Sequence, residues 1–201
     1  MRTQKKNFPI RQFVECAMMI AIAVVLSLIK IELPHGGSLT ACSMLPIILI
    51  SHRHGVKWGL GTAFAYSLIQ LVLGLKNVAY GETFLMSAGI VFLDYVLAFT
   101  VLGLSGIFNK VFRDDRKPTA VVVGVIVTFF LRFLCHLLSG AWIWDVWMPE
   151  EFMNMPMTNP WIYSALYNGS YMLAETVLSV IMVLLLFIPL GKYFRGEDLK
   201  H

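Results

Sequence analysis

Long apolar segments dominate this chain of 201 residues, of which 58% are hydrophobic and only 14% are charged. A helix needs about 20 apolar residues to cross the hydrocarbon core of a bilayer. Hydropathy predicts six such spans, at about residues 13–33, 40–52, 56–75, 84–109, 119–141 and 161–191. These spans use most of the chain. The sequence therefore predicts an all-α membrane protein with six transmembrane helices, in a single domain of residues 1–201.

The second and the sixth spans depart from ordinary length. The second is short for a hydrocarbon core about 30 Å thick, and Pro34, Gly36, Gly37 and Pro46 surround or interrupt it. We therefore expect a broken segment that contacts protein rather than lipid. The sixth is longer than a span needs and contains Pro189, so we expect it to tilt or to continue past the interface.

Charged residues in the loops predict the orientation. The N-terminal arm, the second and fourth loops and the C-terminal end carry most of the 16 basic residues, namely Arg2, Lys5, Lys6, Arg11, Arg53, Lys57, Lys110, Arg113, Arg116, Lys117, Lys192, Arg195 and Lys200. The opposite loops carry Glu32, Glu82, Asp145, Glu150 and Glu151. Cytoplasmic loops are enriched in Lys and Arg, so we expect both termini to be cytoplasmic. The net charge of +4 then reflects topology, and no nucleic-acid-binding pattern is present.

Ionisable residues inside the spans are the candidate functional groups. An Asp or Arg at the centre of a membrane helix costs roughly 2.5–3.5 kcal/mol on insertion scales, so such groups usually pair or line a cavity. The spans contain Asp94, Arg132, His136 and Glu175. With about 1.5 Å of rise per residue, the groups that fall in the outer half of the membrane are Asp94, His136, Tyr163 and Asn168. The sequence therefore predicts one polar cavity that opens to the outside.

Each ionisable residue also has a purely structural interpretation. Arg132 and Glu175 lie at similar depth, which favours a buried ion pair beneath the cavity over a ligand role for Glu175. Asp94 either pairs with Arg132 or provides the counter-charge for a cationic ligand. His136 either joins two helices by a hydrogen bond or binds the ligand, and the second role is favoured because Asp94, Ser139 and Gly140 lie at compatible depth.

Tryptophan and alanine patterns concern the surface. Four tryptophans lie near the outer ends of the fifth and sixth spans, namely Trp142, Trp144, Trp147 and Trp161. They are typical of the aromatic belt at a membrane interface, or they form a lid that stacks on a planar cation. In the first span Ala17 and Ala21 form an A-x-x-x-A face, against which another membrane helix can pack closely.

Two other function classes remain open from the residues alone. An intramembrane hydrolase would use Ser139 or Glu175 with His136, although no orienting third group or oxyanion donor is evident. An autonomous proton-coupled carrier would let Asp94 and Arg132 exchange partners as protons bind. The chain has no G-x-x-x-x-G-K-[ST] motif, so ATP hydrolysis would belong to another chain. No residue spacing predicts a cofactor or a metal site.

Five ordered motifs give the chain a resemblance to a known family over nearly its whole length. They are Gly36-Gly37-Ser38 with Ser43-Met44-Leu45-Pro46, Arg53-His54-Gly55-Val56-Lys57-Trp58-Gly59, Leu93-Asp94-Tyr95 with Ala98-Phe99, Leu131-Arg132-Phe133-Leu134-Cys135-His136 with Ser139-Gly140, and Asn159-Pro160-Trp161-Ile162-Tyr163-Ser164 with Tyr167-Asn168-Gly169-Ser170-Tyr171. With them the chain resembles the thiamine-specific substrate-binding (S) components of energy-coupling-factor (ECF) transporters, the ThiT/YuaJ family.

The resemblance implies the ECF S-component fold in a bacterial cell membrane and capture of thiamine from outside. It implies no catalytic activity and no cofactor in this chain, because a transmembrane coupling subunit and two ATPase subunits would drive delivery. Carried over by motif, the thiamine-binding residues are Asp94, Tyr95, His136, Gly140, Trp144, Tyr163 and Asn168. Ala17 and Ala21 would face the coupling subunit.

The chain departs from the family pattern at four places. Some members carry Glu at the position of Asp94, so contact here is shorter in reach or runs through water. The loop between spans five and six is longer than in some relatives, which leaves Trp142, Trp144 and Trp147 as candidates for the lid aromatic. The tryptophan of the family's first loop has no counterpart near His35. A further aromatic, between spans three and four, is either Tyr80 or Phe84.

Thiamine fits this set of residues chemically. Its thiazolium ring is a fixed cation, which a carboxylate and aromatic faces can bind. Its aminopyrimidine ring offers donors and acceptors that His, Tyr and Asn can satisfy. Because an unpaired polar group in such a site costs several kcal/mol, we expect the site to be selective.

Overall fold

The computed structural model describes residues 10–32, 37–112 and 118–199. Its helices are α1 (Ile10–Leu28), α2 (Leu45–His54), α3 (Val56–Leu73), α4 (Leu75–Val78), α5 (Phe84–Val111), α6 (Thr119–Trp142) and α7 (Pro160–Phe194). Strand β1 (Lys30–Glu32) pairs antiparallel with β2 (Ser38–Thr40), and β3 (Glu151–Phe152) with β4 (Met155–Pro156). Short 3₁₀ turns cover Asp145–Trp147 and Glu197–Leu199. Of the residues used for prediction above, those outside the described ranges are Arg2, Lys5, Lys6, Pro34, His35, Gly36, Arg113, Arg116, Lys117 and Lys200.

The predicted all-α membrane fold is confirmed. In the described part of the chain five helices, α1, α3, α5, α6 and α7, are long and apolar enough to cross a membrane. The predicted second span is instead the ten-residue helix α2, preceded by strand β2. At 1.5 Å per residue α2 is about 15 Å long, half of a hydrocarbon core. Its apolar residues Ile47, Ile48 and Ile50 are fully buried, so α2 contacts protein rather than lipid, as expected.

Glycines allow α2, α3 and α5 to approach one another closely. The Ser51 hydroxyl of α2 donates to the Gly103 carbonyl of α5 at 2.6 Å and accepts from the Gly106 amide at 2.9 Å. A Cβ on Gly103 would lie 2.5 Å from the backbone of Gly59 and Leu60 on α3. Since no side chain fits there, these glycines let the α3 and α5 backbones touch.

Helix α5 changes its winding along its length. It is α-helical over Phe84–Gly89, π-helical over Ile90–Leu97, α-helical over Ala98–Thr100, 3₁₀ over Val101–Ile107 and α-helical again over Phe108–Val111. A π-helical segment is rare and often marks a functional site. Asp94 lies in this segment, which alters the direction of its side chain from that in a regular α-helix.

An ionic cluster joins the beginning of α1 to the ends of α2 and α7. The guanidinium of Arg53 donates to Glu15 at 2.6 Å and to the two carboxylate oxygens of Asp198 at 2.5 and 2.7 Å. His54 contacts the same Glu15 at 2.7 Å. Helix α7 reaches this end because it continues for 35 residues through Pro189, as its predicted length indicated.

Candidate ligand-binding site

A cavity of about 350 Å³ lies at the end of the helices opposite the ionic cluster. The β1–β2 hairpin, the ends of α1 and α3, and helices α4 to α7 all contribute to its wall. All of the residues that sequence predicted for the ligand line it, namely Asp94, Tyr95, His136, Gly140, Trp144, Tyr163 and Asn168. The structure therefore brings these residues, from three helices and a loop, into one space.

Asp94 is the centre of the polar wall. Its Oδ1 lies 2.9 Å from Nδ1 of His136, and its Oδ2 accepts from the Ser139 hydroxyl at 2.7 Å and from the Trp144 indole N–H at 3.0 Å. An ionised carboxylate offers about four acceptor positions, so roughly one remains for a ligand. Among the described residues Asp94 makes no ion pair with Arg132, so that alternative is not realised.

The prediction of an ion pair between Arg132 and Glu175 is wrong: in the described chain the two residues contact different partners. Glu175 accepts a hydrogen bond from the Thr40 hydroxyl at 2.5 Å, so its carboxyl is directed towards strand β2. The Arg132 guanidinium contacts the sulfur of Met44 and lies 4.3 Å from the centre of the Phe99 ring. Similar depth was a poor guide here because depth does not specify the direction of a side chain around its helix.

Helices α6 and α7 meet at Gly140. A Cβ on Gly140 would lie 2.2 Å from the hydroxyl oxygen of Ser164 and 3.2 Å from the amide nitrogen of Asn168. That nitrogen donates to the Ser164 carbonyl at 3.0 Å and to the His136 carbonyl at 3.3 Å. The Asn168 oxygen accepts from the Tyr171 hydroxyl at 2.8 Å. The Asn168 side chain thus belongs to the helix contact and keeps one oxygen lone pair for a ligand.

Three tyrosines one turn apart form an aromatic wall on α7. The ring centres of Tyr163 and Tyr167 are 5.7 Å apart, and those of Tyr167 and Tyr171 are 5.8 Å apart. Phe152 of the β3–β4 hairpin packs edge-on behind Tyr163 at 5.6 Å. Tyr167 and Tyr171 also line the cavity but were absent from the predicted site. Their i, i+4 spacing from Tyr163 was the signal that could have found them.

The aromatic residues of the loops divide into cavity and surface groups. Trp144 and Trp147 line the cavity, and Tyr80 packs between them with ring centres 5.7 and 5.5 Å away. Trp142 is 63% exposed and packs against Trp161 at the surface, while Phe84 is 89% exposed. The loop aromatics that line the cavity are therefore Trp144 and Trp147, between α6 and α7, and Tyr80, between α4 and α5.

The Tyr95 hydroxyl is committed to packing. It donates to the Gly74 carbonyl at 3.1 Å and accepts from the Asn77 amide at 3.0 Å. Only the ring of Tyr95 remains to contact a ligand. In the described chain the Tyr163 hydroxyl makes no hydrogen bond, so it is available.

The β1–β2 hairpin covers one side of the cavity. The Gly37 amide donates to the Tyr167 hydroxyl at 3.1 Å, and a Cβ at Gly37 would lie 2.6 Å from that oxygen. Thr40, at the other end of β2, is held by Glu175. The hairpin is therefore bound to α7 at two points, one at Tyr167 in the middle of the aromatic wall and one at Glu175, a turn beyond Tyr171.

The remaining predicted residues lie elsewhere. Ala17 and Ala21 are exposed on α1 and do not line the cavity. The Ser139 hydroxyl, a candidate nucleophile, donates to Asp94 instead of to His136.

The site thus presents a carboxylate, a ring of aromatic faces and a few free polar atoms, an arrangement that suits a small planar cation.

Comparison with known proteins places the chain among transporters. The family model described as "Thiamine transporter protein (Thia_YuaJ)" matches residues 13–195. The thiamine transporter ThiT of Bacillus subtilis is 32% identical over 196 residues, covering 92% of this chain and 95% of that protein. The ThiT protein of Lacticaseibacillus paracasei is 28% identical over 197 residues, covering 92% and 91%.

A solved structure of ThiT from Listeria monocytogenes is similar in fold. It superposes with a TM-score of 0.74 and 22% identity, over 92% of this chain and 97% of that one. At this identity the similarity supports the fold alone. Together with the five apolar helices, the family match identifies a multi-pass protein of the bacterial cell membrane that transports rather than catalyses.

Proposed function

We propose that this chain, which belongs to the thiamine transporter family (Thia_YuaJ), binds thiamine in this cavity. In this proposal it serves as the S component of an ECF-type importer. The chain would capture the vitamin from outside the cell. A separate coupling subunit and two ATPase subunits would then drive its delivery. Both termini would be cytoplasmic, in agreement with the positive-inside rule.

One observation carries this proposal, namely that all three hydrogen-bond partners of Asp94 are neutral or can be neutral. No Arg or Lys in the described chain neutralises the carboxylate by direct contact. Two unit charges about 4 Å apart attract by about 4 kcal/mol at an effective dielectric constant near 20. The thiazolium cation would therefore gain from this carboxylate an interaction that a neutral analogue lacks.

The rest of the cavity complements the remaining parts of thiamine. Tyr163, Tyr167 and Trp144 offer aromatic faces for a flat cationic ring. The Tyr163 hydroxyl and the second lone pair of the Asn168 oxygen can bond to the aminopyrimidine. The cavity of about 350 Å³ lies within the range of small-molecule sites.

Titration of the purified protein with thiamine, followed by tryptophan fluorescence, tests the proposal. Trp144 and Trp147 line the cavity, so binding should quench them. Asp94→Asn removes the charge and turns one acceptor into a donor that faces other donors. A bond to a charged group is worth about 1.5–3 kcal/mol, so we expect affinity to fall about 10- to 150-fold.

Matched variants make the result specific. Asp94→Glu keeps the charge and should retain most of the thiamine affinity. His136→Ala, like Asp94→Asn, should lose affinity. Unchanged thiamine affinity in both Asp94→Asn and His136→Ala would rule out this site. Thiamine uptake by the chain alone, in vesicles without ATP, would instead support the proton-coupled carrier.

The docking surface for the coupling subunit is proposed at Ala17 and Ala21, which are exposed on α1. Small residues four apart let another helix approach closely. Ala17→Trp should abolish co-purification with the ATPase module and leave thiamine affinity unchanged. Val72→Trp, at a residue of α3 that is 65% exposed, is the matched control. Equal loss of co-purification in both variants would exclude α1 as the specific docking surface.

A further inference from the structure

Arg132 lies at the edge of the binding site, next to His136. It is 7% exposed and lines the lower wall of the cavity. Its Nε donates to Nε2 of His136 at 3.3 Å, in addition to its contacts with Met44 and Phe99. Among the described residues it makes no ion pair. This guanidinium is thus a buried cation whose polar side-chain contact within the site is the imidazole.

The hydrogen-bond chain determines where the imidazole proton lies. A guanidinium can only donate, so Nε2 of His136 must accept and therefore carries no proton. A neutral imidazole then has its proton on Nδ1, which donates to Oδ1 of Asp94 at 2.9 Å. A second proton, on Nε2, would point at the Nε–H group of Arg132. Two donors would then face each other, and two cations would be in contact.

We propose that Arg132 is a positioning residue that holds His136 neutral, with its proton on Nδ1, so that Asp94 keeps an uncancelled negative charge for the ligand cation. Without Arg132 the imidazole could take up a second proton and pair with Asp94 as an imidazolium. In the part of the chain that the structure describes, the charged groups that contact the ring are Asp94 from α5 and Arg132 from α6 itself. From α7, Ser164 and Asn168 reach only the His136 carbonyl.

The importance of this positioning for the vitamin rests on the proposed function, whereas the protonation of the imidazole does not. The first test is therefore made without ligand, by nitrogen NMR of the full chain in lipid nanodiscs with ¹⁵N-labelled histidine rings. The His136 signals are assigned by their absence in His136→Gln. The wild type should show one protonated and one bare ring nitrogen, at neutral and at mildly acidic pH. A bare Nδ1, or an imidazolium at neutral pH, would overturn the inference with no variant needed.

Three variants test the part played by Arg132. In Arg132→Met, Nε2 should become protonated at mildly acidic pH, while Arg132→Lys, which keeps a charge and a donor, should leave it bare. Met44→Leu removes only the sulfur contact and should match the wild type. A bare Nε2 in Arg132→Met under all these conditions would show that Arg132 does not control the proton.

The second test uses thiamine and an uncharged isostere in which carbon replaces the thiazolium nitrogen. In Arg132→Met we expect thiamine affinity to fall about tenfold, equivalent to one charge-assisted hydrogen bond, and affinity for the isostere to fall much less. Equal losses would indicate a packing role. Tighter thiamine binding would show that Arg132 merely repels the cation, and either result would overturn the inference. If the wild type binds neither compound, the proposed function fails while the NMR result still tests the imidazole.

Discussion

Substitution of Gly140 by Ala tests the close contact between α6 and α7 on which the site depends. The new Cβ would lie 2.2 Å from Oγ and 2.9 Å from Cβ of Ser164, whereas ordinary contact begins near 3.4 Å. Rotation of the Ser164 hydroxyl could relieve the first contact only, at the expense of its bond to the Leu137 carbonyl at 2.9 Å. The helices must therefore move apart, which displaces Asn168 from the His136 carbonyl.

The expected magnitude follows from these contacts. Overpacking costs about 1–3 kcal/mol and a lost hydrogen bond about 1 kcal/mol, so Gly140→Ala should lower the free energy of unfolding by about 2–4 kcal/mol. We expect thiamine affinity to fall as well. Denaturant titration in mixed micelles measures the first quantity, and fluorescence titration with thiamine the second.

A second-site change and a neutral site provide the controls. Ser164→Gly removes both clashing atoms, so the double variant with Gly140→Ala should recover part of the loss, with a coupling energy within about 0.5–3 kcal/mol. Gly61→Ala on α3 meets no atom within 4 Å and should be neutral or slightly stabilising. The reasoning is refuted if Gly140→Ala is as stable as Gly61→Ala, or if Ser164→Gly gives no recovery.

Three further predictions concern the cavity and its supports. Thr40→Val removes the donor to Glu175 that binds the β1–β2 hairpin to α7, so it should speed thiamine dissociation in stopped-flow fluorescence, whereas Thr40→Ser should not. Equal dissociation rates in both variants would show that this bond does not hold the hairpin over the cavity. Tyr171→Phe removes the donor that orients the Asn168 oxygen; a lost hydrogen bond is worth about 1 kcal/mol, so thiamine affinity should fall about fivefold, and wild-type affinity would contradict this. Arg53→Gln should lower the thermal stability but leave affinity unchanged, because its cluster lies at the other end of the helices; a matching loss of affinity would show that the two ends are coupled.

Membrane insertion, the order of the spans and the membership of the cavity could be predicted from the residues alone. Apolar run length is a local property, and helix rise converts position in the chain into depth. For this reason Asp94, His136, Tyr163 and Asn168 were correctly expected to share one cavity. The motifs then added Tyr95 and assigned ligand-binding roles to Gly140 and Trp144, and all three line the cavity.

The partners of the polar groups depended on packing that no local pattern encodes. Rise gives depth but not direction around the helix axis, and the π-helical segment Ile90–Leu97 changes that direction at Asp94. The packing of α5, α6 and α7 therefore decides that Arg132 and Glu175 form no ion pair among the described residues. It also decides that the cavity is lined by Trp144 and Trp147 and not by Trp142. Hydrophobicity along the chain is enough to insert these helices, whereas the bonds of Asp94 to His136 and Ser139 require atoms from α5 and α6 to come within about 3 Å of each other.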